Sequence, residues 1–167
     1  MGETTNQQTE THAERAVRLF EEGYNCSQSV FGAFAPDYDI PRDLAMRLSA
    51  SFGAGMGRMR EICGCVSGIG FVLGLETGSV EGKDQKQKGY NYEQVRKLVG
   101  QFQERYGTIY CKELLGLTRM EDSAMPSQRT AEYYQKRPCK EMIRQTAQMI
   151  EDYVTALHAE QAKQAEE

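Results

Sequence analysis

The chemistry of this chain rests on its five cysteines. Four of them fall where a helix begins. Cys26 follows Asn25, Cys63 follows a glycine-rich turn, Cys111 comes three residues after Thr108, and Cys139 directly follows Pro138. The first turn of a helix presents unpaired N–H groups and the positive end of the helix dipole. That setting favours thiolate over thiol, and thiolate is the form that attacks disulfides and binds metal. A cysteine used only for packing has no reason to choose such a position. The pattern points to sulfur chemistry, with Cys26, Cys63, Cys111 and Cys139 as the reacting set. One thiolate would attack a disulfide or oxidant and a second would resolve the mixed intermediate, as in a thiol–disulfide oxidoreductase.

The only close pair is Cys63-Gly64-Cys65. On a regular helix, positions i and i+2 point about 200° apart, so both thiols act together only if Cys63 lies in the turn before the helix. The simplest reading of Cys65 is a core residue. The alternative makes it a fifth sulfur ligand, with Cys26, Cys63, Cys65, Cys111 and Cys139 holding zinc or an iron–sulfur cluster. The longer spacings match no zinc ribbon or ferredoxin run, and they fix no disulfide pairing. Arg58 and Arg60 precede Cys63, Lys112 follows Cys111, and Arg137 and Lys140 flank Cys139. Cys63, with two arginines and a glycine turn beside it, is the expected reactive member.

The chain has 167 residues, enough for one domain with its own core. It is 40% hydrophobic and carries a net charge of -4, with no basic stripe of the kind that neutralises phosphates, which argues against a nucleic-acid partner. The N-terminal stretch is polar, without the apolar run of a secretory signal. The longest apolar stretch, Ile62 to Leu75, is too short to span a bilayer. These features read as a cytoplasmic protein. Structural disulfides are rare in that compartment, so catalytic, metal-binding or redox-sensing cysteines are expected.

The elements that must position the cysteines are helices. Ala13, Ala16, Val17 and Phe20 form a stripe that stops at Gly23. Asn25 can cap a second helix with Cys26, Val30, Ala33 and Phe34 on one face. A third carries Leu44, Leu48 and Phe52. From Cys63 to Leu75 the chain is apolar on all sides, which predicts a buried central helix. Gly64/Gly68 and Gly70/Gly74 there form two pairs of small residues four apart. Each glycine costs ~1 kcal/mol relative to alanine in a helix, so close approach of a neighbour must compensate. Glu76 to Gly89 reads as a loop, and Asn91 as the start of a helix bearing Val95, Leu98, Val99, Phe102 and Tyr106. Cys111–Leu115 makes a short turn, 127–135 a further short helix, and Pro138 opens the longest helix, with Ile143, Ala147, Ile150, Val154 and Leu157 inward. The expectation is an all-α, single-domain helical bundle with a buried glycine-rich central helix. Residues 1–9 read as a disordered lead, 10–160 as the domain and 161–167 as a tail. A bundle of this size commonly pairs through an exposed stripe, so a homodimer is expected.

Other residues offer less. His12 and His158 lie near opposite ends without an evident partner and read as solvent-facing. The glycines between Gly53 and Gly57 have neither the preceding strand nor the following Lys-Ser/Thr of a phosphate loop.

Four blocks of the chain carry a resemblance. They are Gly23-Tyr24-Asn25-Cys26-Ser27-Gln28-Ser29-Val30, Cys63-Gly64-Cys65-Val66-Ser67-Gly68, Cys111-Lys112-Glu113-Leu114-Leu115-Gly116, and Cys139 at the start of the terminal helix. In this order they resemble the C_GCAxxG_C_C family of redox-active proteins, over about residues 12–157. The resemblance implies that Cys26, Cys63, Cys111 and Cys139 are the family cysteines. It also implies a redox role, with a redox partner protein or a transporter as partner, so a non-enzymatic helical companion of a transporter is a further reading. Cys65 stands where the family motif has alanine. Some members are linked to split-Soret-type cytochromes, but no Cys-x-x-Cys-His sequence occurs here, so covalent c-type haem is not expected.

Overall fold

Local capping chemistry sets where the first helices begin. In the computed structural model, which describes residues 9–119 and 122–166, α1 (His12–Glu21) opens on a capping box. Thr11 accepts from the Glu14 N–H, and the Glu14 carboxylate accepts from the Thr11 N–H. Asn25 and Gln28 repeat the device for α2 (Cys26–Phe34). A 3-10 turn, Ala35–Tyr38, leads into α3 (Arg42–Ala50). Then follow α4 (Gly64–Thr77), α5 (Gln85–Tyr106), α6 (Cys111–Leu114), α7 (Ala131–Lys136) and α8 (Cys139–Ala165).

The architecture is all-α. Among the described residues there is no β-strand, only one isolated antiparallel bridge, Ile62 to Tyr110. Helix α4 packs on α2, α5 and α8, and α2 packs in turn on α1, α3 and α8. The core where they meet holds Phe20, Phe31, Ile69, Leu73, Leu98, Phe102, Ile143 and Ile150, all essentially sealed from solvent. Each such side chain contributes roughly 1.5–3 kcal/mol on burial. Among the described residues no helix is long and apolar enough to cross a membrane.

Several elements differ from the sequence expectation. Helix α5 begins at Gln85 instead of Asn91, because Asp84 caps it by accepting from the Gln87 N–H; Gly89 sits within the helix, exposed. The stripe expected on α3 faces outward: Leu44 and Leu48 are half exposed, while Ala45 and Ser49 turn inward. A thin helix face of small residues lets α3 lie close to α2, with the Ser49 hydroxyl satisfied by donating to the Ala45 carbonyl at 2.7 Å. Helix α4 is central but not covered all round, for Gly74 and Leu75 are exposed. Helix α8 continues to Ala165, past the start of the expected tail. The expected disordered lead lies, apart from residue 9, outside the described residues, as does Glu167.

Candidate functional site

All four helix-start positions are realised. Cys26 is the first residue of α2, Cys111 of α6 and Cys139 of α8, and Cys63 is the N-cap of α4. The capping box of α2 fixes the first of these. Asn25 Oδ1 accepts from the Gln28 N–H at 3.0 Å, and Asn25 Nδ2 donates to the Ala50 carbonyl at 2.9 Å. Gly64 then allows α4 to abut α2: a Cβ there would lie 2.8 Å from Ser27 N and 2.9 Å from Cys26 Cβ. Short backbone bonds stitch residues 60–63 to 109–112. Cys63 N–H donates to Ile109 O at 2.8 Å, Cys111 N–H to Glu61 O at 2.7 Å, and Lys112 N–H to Arg60 O at 3.0 Å. Cysteines far apart in sequence thereby meet at one end of the bundle.

The thiols touch one another. Cys139 and Cys65 both donate hydrogen bonds to the Cys26 sulfur, and Cys65 also contacts Cys63. Cys63 thus lies in the turn before the helix, which is what joint action of the Cys-Gly-Cys pair requires. No disulfide is formed, and of the five cysteines only Cys26 is partly exposed. The two thiol donors hold Cys26 well below the ordinary thiol range, and the nearby Arg129 charge and the Cys26 backbone N–H act in the same direction. Cys65 and Cys139 move upward, as groups that donate to that thiolate and are themselves buried. Cys111 stands at the edge of the cluster. Burial pushes it up to about 11, although Arg60 Nη1 donates to its sulfur at 3.8 Å. The arrangement is one thiol held below the ordinary range, on the only cysteine that is not fully buried, next to buried thiols, as attack followed by resolution requires.

The cations are distributed differently from their sequence order. Arg60, next to Cys63 in the chain's turn, reaches Cys111. Lys112 pairs with Glu61 at 3.7 Å, and Lys140 pairs with Glu21. Arg129 is the cation beside Cys26, and sequence reasoning did not single it out. It donates to the Tyr24 carbonyl at 3.1 Å, stacks over Phe20 at 4.5 Å and over Tyr133 at 4.8 Å. The only sequence signal for it is the Arg-x-x-x-Tyr-Tyr spacing, which suits cation–π stacking.

Asn25, the cap of α2, also lines a cavity of about 370 Å³ with Arg58, Arg60, Arg129 and Arg137; none of the five cysteines lines it. Arg58 and Arg60 enter it from an unusual turn. Ala54, Met56, Arg58 and Arg60 all have left-handed φ values between 54° and 68°, with Gly55 and Gly57 between them. Each non-glycine residue in that conformation costs roughly 1–2 kcal/mol. Such strain is characteristic of functional sites, where the surrounding structure holds it in place. Gly55 is required there, since a Cβ would sit 2.6 Å from Glu61 N.

The five sulfurs are chemically a donor set for zinc or an iron–sulfur cluster. Among the described residues, however, no three Cys, His, Asp or Glu side chains stand where they could hold one ion. The two histidines are elsewhere, in a hollow lined by no cysteine. Both have carboxylate partners that the sequence did not reveal: His12 Nε2 lies 2.6 Å from Asp37 and Nδ1 3.2 Å from Glu151, and His158 Nε2 lies 2.6 Å from Glu76.

A family model described as "Putative redox-active protein (C_GCAxxG_C_C)" matches residues 24–153. That span runs from the residue before the α2 cap into α8 and includes all five cysteines. No curated protein and no solved structure matches the chain.

Proposed function

The chain belongs to the C_GCAxxG_C_C family of redox-active proteins, and from that premise we propose that it is a thiol–disulfide redox protein in which Cys26 attacks and Cys139 resolves. One observation carries the reading: Cys26, the only one of the five cysteines that is not fully buried, has two buried thiols as hydrogen-bond partners. The Cys26 thiolate displaces one half of a substrate disulfide as a thiolate and forms a mixed disulfide with the other half. Cys139 gives up its proton to the departing thiolate and attacks the Cys26 sulfur. The Cys26–Cys139 bond forms and the second half leaves as a thiolate, which takes its proton from solvent. Two electrons pass from the protein to the substrate; one of the two protons comes from Cys139 and the other from solvent. Cys65 acts through Cys26, as the second donor that positions and ionises it.

Thiol trapping across a redox series, read by mass spectrometry, tests this. Reduced and oxidised protein should differ by one Cys26–Cys139 disulfide. Cys26→Ser should abolish the couple, and Cys139→Ser should accumulate the mixed disulfide. Folded protein in which every cysteine resists a small alkylating agent would remove the basis of the proposal.

A further inference from the structure

The 127–137 segment is held on the thiol end of the bundle by its side chains. Its helix, α7, buries none of its residues. Among the described residues, no backbone N–H of 127–137 bonds outside the segment. Arg129 fastens it to the end of α1 and to the link before α2. Arg129 Nη1 donates to Phe20 O at 3.4 Å and Nη2 to Tyr24 O at 3.1 Å. The guanidinium lies over the Phe20 ring at 4.5 Å and over the Tyr133 ring at 4.8 Å. Tyr134 adds a hydroxyl bond to the same Phe20 carbonyl at 3.4 Å and an edge-on contact with the Phe20 ring at 5.5 Å. At the other end Arg58 donates to Ser127 Oγ at 3.1 Å.

This fastening places a charge. Tyr24, whose carbonyl Arg129 grips, lies two residues before Cys26. Among the described residues Arg129 is paired with no carboxylate; its partners are carbonyls and aromatic rings. A guanidinium keeps its proton in a protein, so the charge is permanent. A fixed cation without a counter-ion favours the anionic form of a nearby thiol. The other titratable groups facing Cys26 are uncharged when protonated: Cys65 from α4 with Cys63 behind it, Cys139 from α8, Cys111 from α6, and Tyr133. Burial pushes the Tyr133 phenol up, Arg129 opposes this, and Cys139 and Cys26 add to it, which puts the segment beside both sulfurs. The buried thiols supply hydrogen bonds to Cys26, and Arg129 supplies the charge.

Resting on the redox reading, we infer that Arg129 is a positioning residue for Cys26: it is the counter-charge of the reacting sulfur, carried in by the 127–137 segment, so that Cys26 is a competent nucleophile only while that segment is seated. Arg129 forms no bond in the exchange; it sets the fraction of Cys26 present as thiolate. The same segment runs through Pro138 into Cys139, so one piece of chain serves both sulfurs of the couple.

Iodoacetamide labelling of the full reduced chain over a pH series, with Cys26 read by peptide mass spectrometry, tests this without any turnover. On the acid limb the labelling rate follows the thiolate fraction. There Arg129→Gln should slow labelling about tenfold at a given pH, the low end of the effect of one adjacent opposite charge, and move the profile to higher pH. Arg129→Lys keeps the charge without the planar fork and should restore most of the rate. A double variant, Tyr133→Leu with Tyr134→Leu, keeps Arg129 but removes the rings that seat it. It should move the profile in the same direction, and amide hydrogen exchange over 127–137 should quicken. Circular dichroism checks that each variant retains its helicity. A profile unmoved by Arg129→Gln, or Arg129→Lys labelling no faster than Arg129→Gln, overturns the inference even if Cys26 labels and exchanges readily in the unaltered chain. A double variant whose hydrogen exchange quickens while its profile stays in place overturns the dependence on seating. Exchange that does not quicken overturns it too, because those rings then do not hold the segment. Cys26 that resists labelling in the unaltered chain overturns this inference and the redox reading together.

Discussion

The two halves of α4 use the same residue at the same spacing for different ends. Toward its N-terminus, Gly64 and Gly68 lie against α2. A Cβ on Gly64 would meet Ser27 N at 2.8 Å, and one on Gly68 would meet Val30 Cγ1 at 2.5 Å. Toward its C-terminus, Gly70 and Gly74 would meet nothing within 4 Å. The first pair sets the distance between the helices that carry Cys26, Cys63 and Cys65. The second pair lies on a side that Gly74 and Leu75 leave open to solvent. Spacing alone therefore does not identify a packing glycine; the identity of the atoms across from it does.

Substitution can break this contrast. Gly68→Leu should have the largest effect, at least the ~1–3 kcal/mol typical of overpacking, seen as a fall in melting temperature. An unchanged melting temperature would refute the close α2–α4 contact. Gly64→Ala adds a single methyl but directs it at backbone, so about 1 kcal/mol is expected. It should also alter the pH profile of Cys26 alkylation, because Cys26 Cβ is one of the atoms displaced. At the other half the sign reverses: Gly74→Ala should stabilise by roughly 0.5–1 kcal/mol, since it restores helix propensity without a clash.

The thiols sharpen the same contrast within the sulfur end. Iodoacetamide should label Cys26 well below the ordinary thiol range, while Cys111 stays a thiol until the pH nears 11. The stability effects have opposite signs. Cys26 is depressed in the folded state, so its contribution is present above the ordinary thiol value, about 8.5, and is lost as pH falls through its folded value. Cys111 is raised, so its contribution is complete below about 8.5 and is lost as pH rises through about 11. Denaturant titrations should therefore show the alkaline loss diminish in Cys111→Ala.

Local signals in the sequence were informative about the helix starts. Asn25 before Cys26, the glycine turn before Cys63 and Pro138 before Cys139 each act within a few residues of the cysteine they place. The apolar run from Cys63 to Leu75 likewise marked the central helix. The sequence was less informative wherever a partner from a distant segment decides the outcome. Cys63 looked the more reactive because Arg58 and Arg60 are near it in the chain, yet Arg60 turns to Cys111, and Arg129 comes from a remote segment to Cys26. Leu44 and Leu48 have helical spacing, but α3 meets α2 through Ala45 and Ser49, which periodicity ranks lower. His12 and His158 gain carboxylate partners from other elements, and no local pattern encodes that.

The two thiol hydrogen bonds and the Arg129 charge at Cys26 all act on a negative sulfur. Oxidation neutralises that sulfur, so every one of these contacts favours the reduced protein alone. For a disulfide formed through Cys26, each 1.4 kcal/mol of such preference raises the reduction potential by about 30 mV. On the proposed chemistry, the contacts that favour the Cys26 thiolate would also make a disulfide through Cys26 more readily reducible, the property that separates a bond used in turnover from one that fastens a fold.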